Sequence, residues 1–486
     1  MNRRTFIHAT GATSLGLTGG LAFGAADAPV ATLLTLLEDS TRDRVPGELV
    51  RRIRAGTRFE DVLAALCLAT VRNVQPYPDV GFKYHSFMML RSIHATTQHL
   101  PAADRWLPLI WAADYFKDTQ AQERASGGWR QPERPTAPGG DAEMARRALV
   151  AALDRWDRDA ADAAIANYAQ SASLAEVFSP LFLYGTRDLR AIGHKAITVS
   201  NAHALTLILG KQHAVPLLRS TVAALLNSDA DPDPAGHDLA PDRPFRRNRQ
   251  RLATIPSSWR EGRDDSGARG EFRAALYQTS PEDAGGVVVE FPRRGISADT
   301  LWQVLFDVAA ELVLRQPGIV ALHAQTTANA LHYAYVVTSD EQTRQLTLLQ
   351  CSAFVCMFRQ MTGTSGSDLN LGTLEPLVLG AKSDALAEIF SDVSAGSRRE
   401  AARKALSYLQ SGGDAQQLIA TARSYLVEGA QEAHDYKFSE AVFDSCSRFP
   451  VKTWQARFLS AGMAYFKAPV RRPGPLIQQA RELLRA

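Results

Sequence analysis

The chain has 486 residues, of which 45% are hydrophobic and 22% are charged, and its formal net charge at pH 7 is +3. This composition is that of a globular protein with a large core, and so small a net charge argues against a nucleic-acid partner. The four cysteines (Cys67, Cys351, Cys356 and Cys446) lie far apart in apolar runs without a CxxC motif. Buried free thiols are therefore expected, not a zinc or redox motif.

The N-terminus resembles an export signal. Arg3 and Arg4 form a twin-arginine motif that is followed by a weakly apolar stretch ending near Gly24. Residues 1–25 are therefore predicted to be a twin-arginine signal peptide, which places the mature protein in the periplasm or outside the cell. No later run approaches 18 uninterrupted apolar residues, so no membrane span is expected after removal of the signal.

The rest of the chain reads as four similar helical units. In each unit a helix-start signal precedes an apolar helix, a short break follows, and then come a histidine-bearing helix and an amphipathic helix. The start signals begin at Thr57, Ser173, Ser297 and Asp414. The predicted fold is all-α, a single domain over residues 26–486. Its four diverged repeats, packed as a bundle or open ring, cover about 45–120, 160–228, 295–361 and 412–467.

Two segments depart from this helical pattern. The valine-rich run at residues 285–291 looks like a strand, although one short strand does not make a sheet. The basic stretch from Arg243 to Arg251 lies in a Pro/Asp-rich connection and is interpreted as a solvated loop, not a polyanion site.

Histidines nine residues apart mark three of the four units. The pairs are His85/His94, His194/His203 and His323/His332, whereas the fourth unit has His434 followed by Phe443. Nine residues of helix turn the second ring about 180° from the first and about 13.5 Å along the axis. One pair cannot share a metal on a straight helix. The chain also contains no HxxxH or ExxH pair that could do so.

The leading histidines, however, can meet if the four histidine helices pack together. His85, His194, His323 and His434 would then line one cavity, while the second histidines face outward or into separate cores. Such a cluster can transfer protons or bind a metal, a haem or an oxygenated substrate. Lys437, three residues after His434, lies on the same helix face and is a candidate base or electrostatic helper. The alternative is that each ring is a core residue bonded to a neighbouring carbonyl.

A second polar pair lies outside the histidine pattern. Asp307 and Glu311 are four residues apart on an apolar helix and could act together as carboxylates. A solvated stripe on the helix surface is the preferred interpretation.

Three short motifs carry a family resemblance: Gly193-His194, Leu322 to Thr326 running into Asn329-Ala330-Leu331, and Ala433 to Ala441. With these, the chain resembles the questin oxidase-like family. The resemblance implies an all-helical fold and the oxygen- and NADPH-linked oxidation of aromatic polyketides. It implies functional roles for His194, His323, His434 and Lys437, and the internal repeat adds His85.

The sequence is therefore compatible with three functions. The first is an exported, monooxygenase-like oxidoreductase that acts on an aromatic or quinone-like small molecule in a histidine-lined pocket, with NADPH or another reductant. The second is an exported metal- or haem-binding protein without catalysis. The third is a helical-repeat interaction scaffold whose histidines only pack.

Overall fold

The computed structural model describes residues 28–77, 81–133, 140–228, 231–363, 369–380 and 384–485. The predicted signal peptide, residues 1–25, lies outside these ranges. Across the described residues the chain forms helices and no strand, with one isolated bridge between Arg263 and Ile296. The all-α prediction is therefore confirmed. None of the described helices is long and apolar enough to cross a membrane.

The helices follow one another in four runs, each containing one leading histidine. The first run is α1 (Ala28–Asp39), α2 (Val45–Arg54), α3 (Phe59–Asn73), α4 (His85–Met88), α5 (Leu90–Thr97) and α6 (Leu107–Ala125). The second is α7 (Ala142–Asp154), α8 (Arg158–Ser171), α9 (Leu174–Gly185), α10 (His194–Leu209) and α11 (Ala214–Leu225).

The third run is α12 (Arg243–Arg251), α13 (Ser266–Gln278), α14 (Ala284–Arg293), α15 (Ala298–Arg315), α16 (Ile319–Val337) and α17 (Glu341–Thr362). The fourth is α18 (Ala385–Ser394), α19 (Arg398–Gln410), α20 (Ala415–Gly429), α21 (Ala433–Arg448), α22 (Lys452–Ala461) and α23 (Pro475–Arg485).

Local capping explains where the apolar helices begin. Ser173 and Glu176 form a reciprocal capping box at the start of α9. The Ser297 and Asp414 side chains accept hydrogen bonds from the first turns of α15 and α20. These contacts satisfy amide groups that a helix leaves free at its N-terminus. The first start signal is misplaced by one residue, because α3 is capped at Arg58 without a side-chain bond.

The four histidine-bearing helices, α4/α5, α10, α16 and α21, pack side by side in a closed ring. Each helix contacts the next, and α21 returns to α5. The helices run in the same direction. Residues that lie after the leading histidine of one helix contact residues that lie after the leading histidine of the next. Asn201 bonds to the Met88 carbonyl, and Ser200 to the Ala330 carbonyl. All four leading histidines therefore lie at the same end of the ring.

The second histidines point away from the axis of this ring. His203 packs against Phe178 and Phe182 of α9, and His332 against Trp302 and Phe306 of α15. Each pair of aromatic rings belongs to the helix that precedes the histidine helix in the chain. The second histidine therefore packs its helix against the preceding helix. It belongs to a core separate from the leading histidines, as expected. The internal repeat itself stays a prediction.

The two exceptional segments are helical, which contradicts both predictions. Residues 285–291 lie in α14, where Val288, Val289 and Phe291 are buried. Arg243–Arg251 forms α12 instead of a loop, because Pro244 occupies a first-turn position where a missing amide costs nothing. Arginines of α12 make ion pairs with Asp238, Glu282 and Asp283.

Candidate metal centre

The four leading histidines meet at one buried point on the ring axis. His85, His194, His323 and His434 each offer a ring nitrogen, and these nitrogens all lie within 4.8 Å of one another. His194 Nε2 is 3.1 Å from His85 Nε2 and 3.0 Å from His323 Nε2. The convergence predicted from the sequence is therefore present in the structure.

The imidazoles follow one another around the axis in chain order. Ring centroids of neighbours are 4.9, 4.6, 5.1 and 4.3 Å apart from His85 through His194, His323 and His434 back to His85. Across the ring, His85 and His323 are 6.3 Å apart. The arrangement is thus a square of side chains, each supplied by a different helix.

Backbone carbonyls fix the tautomers of two of these histidines. His194 Nδ1 lies 2.7 Å from the Ala191 carbonyl, and His323 Nδ1 lies 2.5 Å from the Ile319 carbonyl. A carbonyl only accepts, so in both rings Nδ1 carries the proton. In the neutral rings Nε2 then holds a lone pair, and the two Nε2 lone pairs face each other across 3.0 Å. Two acceptors at this distance repel unless a cation lies between them.

His434 is held by a carboxylate instead. Its Nδ1 lies 3.4 Å from Glu432 Oε2, and Glu432 also accepts a hydrogen bond from Tyr465 Oη at 2.9 Å. The His434 bond and burial act in opposite directions, and the bond dominates, so the pKa of Glu432 is lowered to about 2. His434 Nε2 is buried and has no hydrogen-bond partner. Like the other rings, it directs a ring nitrogen toward the centre.

A strained turn positions His194. Ala191, Ile192 and Gly193 have φ of 50°, 43° and 84°, three consecutive residues in the left-handed region. This turn brings the Ala191 carbonyl onto the ring of His194, while the Ile192 carbonyl accepts from Thr327 Oγ1 at 3.3 Å. Left-handed conformations cost non-glycine residues about 1–2 kcal/mol each. The surroundings must therefore hold the turn in place.

Buried ion pairs supply that restraint. Asp188 accepts from the Arg190 amide at 2.9 Å and from Lys195 Nζ at 2.8 Å, so it ties both sides of the turn together. The Arg190 guanidinium in turn donates two hydrogen bonds to Asp242 and one to Asp231. Although burial raises the pKa of Asp188, the adjacent cations, Lys195 first, bring it below its usual value.

Replacing Gly193 with alanine should destabilise this turn more than a comparable glycine elsewhere. A Cβ at Gly193 would overlap the side chain of Thr327, which is fully buried. Gly412 has a similar φ of 92° but nothing within 4 Å of an added Cβ. We expect Gly412→Ala to cost about 1 kcal/mol and Gly193→Ala about 3 kcal/mol in the free energy of unfolding, measured with denaturant. Equal losses would contradict the overlap with Thr327.

The electrostatic environment keeps the imidazoles neutral. Burial is the largest influence on His85, His194 and His323 and holds their pKa values well below 6.5. It also lowers the pKa of His434. The charge of Lys437 acts in the same direction on all four rings. Neutral imidazole is the form that binds metal ions.

Lys437 lies on the same helix as His434 and lines the cavity, and its amine is not used in the fold. Its side chain is buried, and Nζ has no hydrogen-bond partner. Burial lowers the pKa of Lys437 to about 7, and the carboxylate of Glu432 offsets only part of this effect. In a large fraction of the molecules, the Lys437 side chain is therefore an uncharged amine at neutral pH.

A cavity of about 350 Å³ begins one helical turn from the histidines and continues along the ring axis. Each histidine helix contributes the residue three positions after its leading histidine: Met88, Ile197, Thr326 and Lys437. Arg91, Asn201, Asn329 and Glu440 line the next level. Sequence reasoning missed Arg91, although it is the one charged residue in the apolar run between His85 and His94.

Asp307 and Glu311 do not belong to this site, and the predicted solvated stripe is wrong. Glu311 is fully buried and accepts from the Leu371 amide at 2.7 Å, with an Arg315 ion pair at 2.6 Å. It also contacts Arg273. Burial raises the pKa of Asp307 to about 7. Glu311 is therefore a buried structural residue, because Arg273 and Arg315 neutralise its carboxylate.

The four cysteines are buried free thiols, as predicted. Burial raises the pKa of each thiol, to about 12 for Cys356 and Cys446. None of them is a histidine-cluster residue.

No family model, curated protein or solved structure matches the chain. The geometry of the site is therefore the basis for assigning a function.

Proposed function

We propose that the protein is an oxidoreductase whose four leading histidines bind one redox-active metal ion beside a substrate cavity. The observation that carries the proposal is the convergence of four neutral imidazoles, with Nε2 atoms 3.0–3.1 Å apart between His194 and its two neighbours. Nitrogens bound to a common tetrahedral ion at about 2.0–2.1 Å would be about 3.3 Å apart. Imidazole sets suit iron, copper, nickel and zinc.

The bonds behind the ligands support the same proposal. His residues that bind metals donate their second ring nitrogen to a carbonyl or carboxylate, which orients the ring. His194 and His323 have backbone carbonyls in this position, and His434 has Glu432. A scaffold whose histidines only pack would pair each Nε2 with a donor. Here the Nε2 atoms are directed at one another.

A haem fits these residues less well. The macrocycle occupies four positions around its iron, so only one or two histidines can bind axially. Four imidazole nitrogens within 4.8 Å of one another leave no space for the macrocycle between them. A bare ion is therefore favoured.

Oxidation of an aromatic or quinone-like molecule is the chemistry we assign to this centre. A hydroquinone that becomes a quinone releases two electrons and two protons, and dioxygen takes up both as hydrogen peroxide. An iron or copper ion would supply the redox chemistry at the histidines. Lys437 lines the cavity and, as an uncharged amine, is suited to accept a substrate proton.

The resemblance to questin oxidase-like proteins agrees with this chemistry and adds NADPH as a reductant to be tested. Export through the twin-arginine route is part of the same proposal, since that route accepts proteins that have already folded around a cofactor. An exported enzyme would need a reductant other than NADPH or a substrate that is itself the electron donor.

Elemental analysis of the purified full-length chain tests the proposal. We expect about one iron or copper ion per chain and metal-dependent oxygen uptake with a hydroquinone, after subtraction of the rate without protein. Chelation should abolish the uptake and the metal should restore it. The matched controls His203→Phe and His332→Phe should retain both properties, since Phe443 already occupies the equivalent place in the fourth segment. If the purified chain binds neither iron nor copper when these ions are supplied, the proposal is overturned.

A further inference from the structure

The cavity wall contains an arginine whose hydrogen-bonding groups are not used by the protein. Arg91 lies on α5, six residues after His85, and lines the cavity. Its guanidinium stacks 4.3 Å from the centroid of the Tyr333 ring. Its one ion pair, to Asp444, is long at 3.5 Å. Among the described residues the guanidinium makes no hydrogen bond, although it carries five N–H donors.

Asp444 is not available to Arg91 as a full partner. It binds Arg448 at 2.8 Å through both of its oxygens and accepts from Asn329 at 2.8 Å. These closer contacts neutralise the Asp444 carboxylate. The positive charge of Arg91 is therefore only weakly compensated.

Three other polar residues of the cavity wall, Ser200, Asn329 and Glu440, are engaged. Ser200 donates to the Ala330 carbonyl at 2.9 Å, and Asn329 donates to Asp444 and Ser445. Glu440 accepts two bonds from Arg423, at 2.9 and 3.0 Å. Glu440 also accepts from Thr96 at 2.8 Å. Arg91 thus differs from its neighbours, because stacking anchors its face and leaves its edge free.

We propose that Arg91 binds the acidic group of the substrate, so that the cavity selects aromatic acids. A stacked guanidinium with a free edge matches the two oxygens of a carboxylate. The six residues from His85 to Arg91 span roughly 9 Å of helix. An aromatic acid of about two fused rings would reach from Arg91 to the histidines, with its carboxylate at Arg91 and its oxidisable ring beside Lys437.

This inference deepens the proposed function and depends on it only for the reaction, not for binding. The probes are 2-naphthoate and its neutral isostere 2-naphthamide, whose affinities are measured by titration calorimetry with the full-length protein. We expect naphthoate to bind at least tenfold more tightly than the amide. Arg91→Met should remove that preference, and Arg91→Lys should retain part of it. A wild-type protein without this preference would overturn the proposal.

Two control variants separate the alternatives. Arg105 also stacks on aromatic rings, those of Phe59 and Trp106, but is not a cavity residue, so Arg105→Met should leave the preference unchanged. A carboxylate could instead bind directly to a metal at the histidines. In that case the preference would disappear in His194→Ala and persist in Arg91→Met, which would reject the role of Arg91 while supporting the metal centre. A preference that persists in His194→Ala and is lost in Arg91→Met supports the proposal.

Discussion

His194→Ala is expected to lower the affinity for the metal by more than about 100-fold while the chain stays folded. His194 is the proposed ligand in closest contact with its neighbours, since its Nε2 faces both His85 and His323. Loss of an outer partner of a metal ligand already costs about 10–100-fold in affinity, so loss of the ligand itself should cost more. Competition with a coloured chelator measures the affinity, and circular dichroism checks the fold.

The control for this prediction is the second histidine of the same helix. His203→Phe removes a buried imidazole that packs on Phe178 and Phe182 and bonds to Tyr333 at 2.8 Å. It should lower stability without changing the metal affinity. If both variants lost the metal equally, the effect would come from distortion of α10, and His194 would not be established as a ligand.

Asp188→Asn tests the support behind that ligand. The change keeps the size of the side chain but weakens its contacts with Lys195 and with the turn that precedes His194. We expect a loss of about tenfold in metal affinity, smaller than for His194→Ala. Asp162→Asn, which weakens the ion pair with Arg219 between α8 and α11, is the control and should not affect the metal. A merely destabilising role for Asp188 would leave the metal affinity of the folded chain unchanged.

The histidine positions were predictable because the pattern repeats along the chain. His434 with Phe443 was decisive, since the second position tolerates an apolar ring whereas the first is histidine in each segment. Helix geometry then separated the two positions into opposite faces. The structure agrees, with Phe443 stacked under Arg423 and packed on Phe466, outside the cluster.

Other features depended on contacts that are distant in the chain. The valines at 287–289 have strand propensity, but tertiary packing of Val288, Val289 and Phe291 imposes a helix. The turn before His194 uses left-handed Ala191 and Ile192, residues that give no local signal for that conformation. The role proposed for Arg91 depends on its partners in the structure, because a lone arginine in an apolar run is ordinarily paired.

Lys437→Met should stabilise the metal-free protein and strongly lower the oxidase activity proposed for the metal-loaded protein. Burying an amine without a partner opposes folding, and methionine fills a similar volume without that cost. We expect a gain of about 3 kcal/mol in the free energy of unfolding at pH 7.5, measured with denaturant and chelator present. Loss of the cavity base should lower kcat more than KM. An activity equal to that of the wild type would exclude a proton-transfer role for Lys437.

The pH dependence of that gain identifies its cause. The pKa of Lys437 is about 7 in the folded chain, whereas the ordinary value of 10.5 applies to the unfolded chain, where the side chain is not buried. Between these values the unfolded chain holds a proton that the folded chain has lost, so acidification favours unfolding by about 1.4 kcal/mol per pH unit. The gain from Lys437→Met should therefore grow by about 2–3 kcal/mol from pH 9.5 to 7.5 and level off below pH 7. Lys452→Met, at an exposed position, should show no such growth. A gain independent of pH would mean that packing, and not the buried amine, limits stability at this position.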